Sequence, residues 1–176
     1  MSEKHLATGQ AIGSAGELIA QARLLVRDWT VGNINKGGMM NAPSIDLFAA
    51  KGKHTIRIAV KATGHNSSDV QWSSKYGWAT LFKGETKPDF VIFVWFDNKN
   101  ALDSCRVFVV PAEVVDREVR HAHEYWYKHS KRDGSQRKPS DHVAISWSGR
   151  DTETNISRNF QQKWKKYEDN WEQLEP

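Results

Sequence analysis

The stretch from Pro43 to Thr63 reads PSIDLFAAKGKHTIRIAVKAT, and it decides the fold. Across Thr55–Ala62, Ile56, Ile58 and Val60 alternate with Arg57, Ala59 and Lys61. That period of two belongs to a pleated strand, whose successive side chains point to opposite faces. Ser44–Ala49 reads as a strand before it. The intervening AKGKH is short enough for an antiparallel hairpin. The hairpin sets Asp46 of the first strand against Ala59, two residues before Lys61 of the second.

Outward from the hairpin, helices and strands alternate. Upstream, Ser14 and Glu17 have the S-x-x-E spacing of a capping box, and Leu18, Ala22, Leu25 and Trp29 recur at helical spacing, widened by Ile19 and Val26. A helix is therefore expected from Ser14 to about Trp29, after a flexible lead-in over 1–13. Gly32–Pro43 reads as a loop or distorted hairpin because it holds Gly37-Gly38 and Pro43. Residues 63–88 are polar and carry Trp72, Tyr76 and Trp78, a long functional loop with some local structure. Phe90–Phe96 and Arg106–Val110 are continuous apolar runs, as expected of strands covered on both faces. Pro111 opens a helix with a buried stripe of Val115, Val119, Ala122 and Trp126. A basic loop over 130–140, a strand over His142–Trp147 and a helix marked by Ile156, Phe160, Trp164, Tyr167, Trp171 and Leu174 complete the chain. The order implies one domain over 14–176, of the α/β or α+β class, with a mixed central sheet flanked by helices.

Composition narrows the function. The chain has 176 residues, 25 Lys+Arg and 21 Asp+Glu, and one Cys, which excludes an intrachain disulfide scaffold. Cys105 lies in the apolar run CRVFVV and reads as a core hydrophobe in a reducing compartment. The longest apolar run, VIFVWF, is far short of the roughly 20 residues that span a membrane. No secretory signal opens the sequence, so a cytoplasmic protein without membrane partners is expected. Charge is uneven. Residues 1–88 hold 11 Lys+Arg against 6 Asp+Glu, while 89–176 hold 14 against 15. Residues 120–138 add six Lys/Arg against two acids, with His121, His123 and His129. Local basic patches of this kind suit phosphate backbones.

The acid-and-lysine pair of the hairpin is the arrangement with chemical content. Carboxylates hold Mg²⁺ through hard oxygen ligands. Such a metal makes bound water more nucleophilic and neutralises charge growing on a phosphate. A neighbouring lysine orients that water and stabilises the same charge. Each residue also has a structural reading. Glu17 can serve as the capping-box acid, Asp46 can pair with Lys61, and Lys61 can snorkel from a half-buried strand. Zinc binding is not supported, because His121 and His123 lie two apart on a helix and only one Cys is present. No G-x-S-x-G motif and no phosphate-binding Gly-Lys-Ser/Thr loop occurs.

The order of parts resembles the PD-(D/E)XK nuclease-like superfamily. It runs from GELIAQARLL through Pro43 and Asp46, then AVKAT, PDFVIFVWF and CRVFVVPAEVV, and spans about Gly13 to Leu174. The final KKYEDNWEQL is similar to the tryptophan-containing helix of small bacterial members. The resemblance implies a restriction-endonuclease-like core and hydrolysis of phosphodiester bonds in DNA with Mg²⁺ or Mn²⁺. It implies Asp46 as metal ligand, Lys61 as catalytic lysine and Glu17 as a helix-borne acid that adds to the metal site. It also implies DNA as partner, with a homodimer as the form in which many members cut both strands. The chain departs from the pattern at Ala59, where Glu, Asp or Gln is usual. Alanine offers no ligand atom. Either Glu17, backbone carbonyls and water complete a weakened site, or the domain no longer cuts, or the alanine is a substitution that traps an inactive form.

Basic and aromatic residues supply candidate DNA contacts. Lys75 lies between Trp72 and Trp78 in the loop after the lysine strand, and Arg132, Arg137 and Lys138 crowd the loop 130–140. Such contacts give affinity without sequence readout. Two other functions fit the same residues: a catalytically inactive, nuclease-fold DNA-binding module, and a protein-interaction or inhibitor domain using the aromatic loop 63–88.

Overall fold

The chain was analysed as a computed structural model that describes residues 9–34, 45–64, 69–72, 87–96, 105–131, 133–138, 143–146 and 160–175. Helix α1 (Gly9–Leu25) leads into strand β1 (Thr30–Asn33). Strands β2 (Leu47–Lys51) and β3 (His54–Thr63) form the expected hairpin, turned by Gly52 at φ +61°, a conformation glycine adopts without steric cost. A short strand β4 (Asp69–Trp72) follows, then β5 (Phe90–Phe96) and β6 (Cys105–Pro111). Helix α2 (Ala112–Lys128), strand β7 (Val143–Ser146) and a single helical turn α3 (Phe160–Lys163) close the order. The main sheet has strand order β1-β2-β3-β5-β6, and β4 pairs with β7 in a separate two-stranded ribbon. β3 and β5 are parallel, while the other neighbours in the main sheet are antiparallel. This is the expected mixed sheet of an α+β fold. Among the described residues, no helix is long and apolar enough to cross a membrane.

Each face of the sheet is covered, and β3 shows why. Ile56, Ile58 and Val60 join Leu47, Ile92, Val94, Val107 and Val109 beneath Ala20, Leu24 and Trp29 of the α1 segment. The intervening Ala59 joins Val91, Phe93, Phe108 and Val110 beneath Ala112, Val115 and Val119 of α2, with Phe160 and Trp164 beside them. Every second residue of one strand therefore feeds a different core. Each fully buried aliphatic or aromatic side chain contributes about 1.5–3 kcal/mol. β5 supplies both layers, which is why its sequence is apolar throughout rather than alternating.

Several expectations are corrected. α1 begins at Gly9, so Ser14 lies inside the helix, the Ser14–Glu17 capping box does not form, and the boundary expected after residue 13 falls mid-helix. The buried face of α1 is Gly16, Ala20 and Leu24, whereas Leu18, Leu25 and Val26 are exposed. Small residues face the sheet because the approach is close. A Cβ built on Gly16 would stand 2.5 Å from the Cβ of Ala62. Residues 30–33, partly assigned to a loop, instead form β1 on the edge of β2. Trp126 is exposed, although Val115, Val119 and Ala122 of its expected stripe are buried.

The expected last helix is also replaced. After α3 come 3₁₀ turns at Lys165–Tyr167 and Glu172–Leu174, separated by Asp169 at φ +47°. The segment instead lies along the edge strand β6. Glu168 bridges Phe108, the Asp169 amide donates to the Val107 carbonyl at 2.9 Å, and the Gln173 side-chain amide donates to the Val109 carbonyl. An edge strand so covered is no longer open to pairing with another chain.

Candidate functional site

The site is built where β2 and β3 part. Leu47 pairs with Ile58, so Asp46 stands opposite Ala59. Here the ladder changes. The Asp46 amide donates to the Ile58 carbonyl at 2.9 Å, and the Asp46 carboxylate accepts the Val60 amide at 2.6 Å. A side chain thus takes a hydrogen bond that a neighbouring backbone would otherwise supply. The Ile34 amide, just past β1, donates to the Asp46 carbonyl at 3.1 Å. Asp46 is half-buried and anchored from two sides.

Lys61 lies two residues beyond Ala59, on the same face. It pairs in register with Phe93 of β5, which belongs to the α2-side core. The sheet therefore presents Asp46 and Lys61 on one face at one strand end. Lys61 is half-buried and forms no ion pair with any described carboxylate, so an Asp46–Lys61 salt bridge does not account for either residue. Ala59, only 7% exposed, packs with Val91 and Phe93 where the resemblance would put a ligand.

Glu17 reaches the same strand end from the other face. It accepts a hydrogen bond from the Asn33 side-chain amide at 3.2 Å, and Asn33 pairs with Leu47, the neighbour of Asp46. Gly16 sets its height, because α1 rests directly on Ala62 there. Freed from capping, Glu17 is held by Asn33, a residue that no motif singles out. Among the described residues, no group of three His, Cys, Asp or Glu side chains is arranged to hold a metal. The carboxylates on hand are Asp46 and Glu17. Mg²⁺ fits such a poor donor set only when water and substrate phosphate oxygens complete its shell.

Two ion pairs brace this framework. Asp89 accepts the Arg57 amide at 2.7 Å and the Arg57 guanidinium at 2.9 and 3.1 Å. Burial pushes the Asp89 carboxyl up, but the hydrogen bonds and charge of Arg57 outweigh it and hold its pKa below the usual value. The Asp89 carbonyl also accepts the Ala112 amide at 3.0 Å, which ties β3 to the start of α2. At the opposite end of the sheet, Arg106 makes a bidentate pair with Glu168 and stacks over Trp95 and Phe108. Its hydrogen bonds hold the Glu168 carboxyl below the usual range. Neither pair was legible in the sequence, because the partners of each are far apart in the chain.

The remaining candidates divide. Trp72 ends β4, paired with Val143, and nothing further is described of its side chain. Lys75, Trp78 and Arg132 lie outside the described residues, as does most of the aromatic loop 63–88. Arg137 and Lys138 sit on the loop after α2. Arg137 lies over the Trp126 ring at 4.7 Å.

No family model matches the chain, and no curated protein does. Among solved structures it is similar to a bacterial homing endonuclease, I-Ssp6803I, with 14% sequence identity, 96% of this chain and 91% of that chain covered, and a TM-score of 0.49.

Proposed function

We propose that this chain hydrolyses phosphodiester bonds in DNA, with Asp46 and Lys61 as the central pair. The observation that carries the reading is their placement on one sheet face where β2 and β3 part, with Glu17 at the same strand end. Asp46 and Glu17 hold Mg²⁺ or Mn²⁺ in this reading. The ion, when bound, neutralises phosphate charge and makes water more nucleophilic. The Val60 amide keeps the Asp46 carboxylate in one orientation. Lys61 donates to the phosphate or to the attacking water, and its charge is available because no described carboxylate takes it. Trp72, Lys75 and Trp78 follow β3 and would meet the strand being cut. Arg132, Arg137 and Lys138 would hold further backbone phosphates.

The test is cleavage of plasmid and branched DNA with Mn²⁺. The expected result is metal-dependent nicking that EDTA stops. Intact DNA under every metal condition would overturn the enzymatic reading.

Burial of Ala59 favours a second reading, a nuclease-fold module that binds DNA without cutting it. That module would retard DNA in EDTA as well as in Mn²⁺, and would leave it intact.

A further inference from the structure

The end of α2 carries a second site, whose lining includes none of Asp46, Lys61 and Glu17. There Tyr127, Lys128, His129, Ser130, Gln136 and Arg137 line a cavity of about 220 Å³. Among the described residues, no acidic residue lines it. The loop that closes it is a built turn. The Lys131 amide donates to the Ser135 carbonyl at 2.9 Å, the Gly134 amide donates to the Lys131 carbonyl at 3.0 Å, and Gly134 takes φ +79°. Arg137 folds back onto the helix. Its guanidinium lies over Trp126, and its Nε donates to the His129 carbonyl at 3.0 Å. His129 stacks on Tyr125 with ring centroids 3.8 Å apart, and its Nδ1 meets the Tyr125 carbonyl at 2.7 Å.

These contacts fix the cations without neutralising them. Elsewhere, Arg57, Arg106, Arg120 and Lys51 are each paired with a carboxylate. Lys128, Lys131, Arg137 and Lys138 pair with no described carboxylate. The nearby Asp133 is spent within its own turn, accepting the Ser135 amide at 3.0 Å and its hydroxyl at 2.6 Å. The α2 C-terminus opposes an anion by about 0.3–1 kcal/mol. Lys128 and Arg137 line the cavity, with Lys131 and Lys138 next to lining residues in sequence, and together they exceed that.

We infer that this cavity holds a backbone phosphate of DNA, as an anchoring contact separate from the hydrolytic pair. The inference rests on DNA being the partner. α2 starts beside Phe90 and Pro111, and its 17 residues carry it roughly 25 Å along the Ala59 and Phe93 face, with contacts to β7. Arg137 supplies planar donors matched to phosphate oxygens, and Lys128 and Lys138 supply point charges. Trp126, which sequence periodicity assigns to the core, is exposed because it serves as the platform for Arg137.

The test is duplex binding in EDTA, read by fluorescence anisotropy over a salt series, for the full chain and the K128A/R137A/K138A variant. The variant is expected to bind at least about tenfold more weakly, with a salt slope lower by about two to three. Lys53→Ala, on the β2–β3 turn, is expected to change neither quantity. A variant with the parent's affinity and slope would overturn the inference while leaving the hydrolytic reading to its own cleavage test. Loss of binding in the variant, with a parent that binds but never cuts, would support the anchor and overturn the hydrolytic reading. Vesicles of phosphatidylserine in phosphatidylcholine form the second arm. Binding to them through the same three residues, without DNA binding, would also overturn the inference.

Discussion

Asp46 does two things with one carboxylate, and they can be separated. Its oxygen satisfies the Val60 amide at the strand split, and its charge is the ligand the proposed metal needs. Asp46→Ala leaves that half-buried amide unpaired and is expected to cost about 1–3 kcal/mol in urea unfolding. Asp46→Asn keeps an acceptor oxygen and is expected to unfold near the parent's midpoint while losing metal-dependent cleavage. Ala59 gives the converse case. Ala59→Glu puts a carboxylate into a packed layer opposite Asp46 and is expected to lower stability by about 1–3 kcal/mol in EDTA. Mn²⁺ is expected to restore part of that loss, because a ligand that binds only the folded state stabilises it. An unchanged melting temperature on adding Mn²⁺ would count against a metal at this position. The opposition of Asp46 to Ala59 and the shared face with Lys61 were legible, because period-two alternation and a short hairpin fix both. Glu17 was only half legible. A three-residue spacing suggested a cap, but whether a helix starts there depends on what packs upstream, and α1 starts at Gly9.

At the scale of elements, α1 shows how packing overrides a periodic pattern. Both of its faces carry apolar residues, so spacing alone could not choose between Leu18–Leu25 and Gly16–Leu24. The sheet chose the smaller side. Gly16→Ala should gain about 1 kcal/mol of helix propensity. It is nevertheless expected to destabilise by about 1–3 kcal/mol, because the new methyl meets Ala62 at 2.5 Å. Adding Ala62→Gly is expected to recover much of that cost, and a double variant no more stable than Gly16→Ala would refute the contact. The C-terminal segment misled for a related reason. Its aromatic spacing looks helical, yet 3₁₀ turns and Asp169 bring Trp164, Trp171 and Leu174 inward while the chain follows β6. Arg106 locks it there through Glu168. Glu168 and Asp89 both have folded-state pKa values below the unfolded ones. Their contribution to stability is therefore present above about pH 4 and lost as pH falls through the lowered values. Arg106→Leu is expected to cost about 1–2 kcal/mol at pH 7, since a quarter of each side chain meets solvent. The difference from the parent should narrow once acid protonates Glu168. A difference independent of pH would assign the loss to packing of Arg106 on Trp95 and Phe108 instead.

The whole molecule joins two cores through one sheet. The mixed sheet, both hairpin strands and the two-sided β5 follow from alternation and apolar run length. The pairing of β4 with β7 does not, because strands 69–72 and 143–146 are short, polar in part and far apart in the chain. The +5 balance belongs to residues 1–88, the half of the sequence that holds Asp46 and Lys61, whereas the cluster at the end of α2 lies in the nearly neutral half. Net charge by halves thus hid one of the two basic regions. The central claim is that Lys61 acts on a phosphate beside Asp46. The most direct measurement is the rate of plasmid nicking in Mn²⁺ for the parent and Lys61→Ala, with melting temperatures alongside. The expected result is a loss of about 100-fold or more in rate with an unchanged melting temperature. Nicking that survives Lys61→Ala at the parent's rate would contradict it.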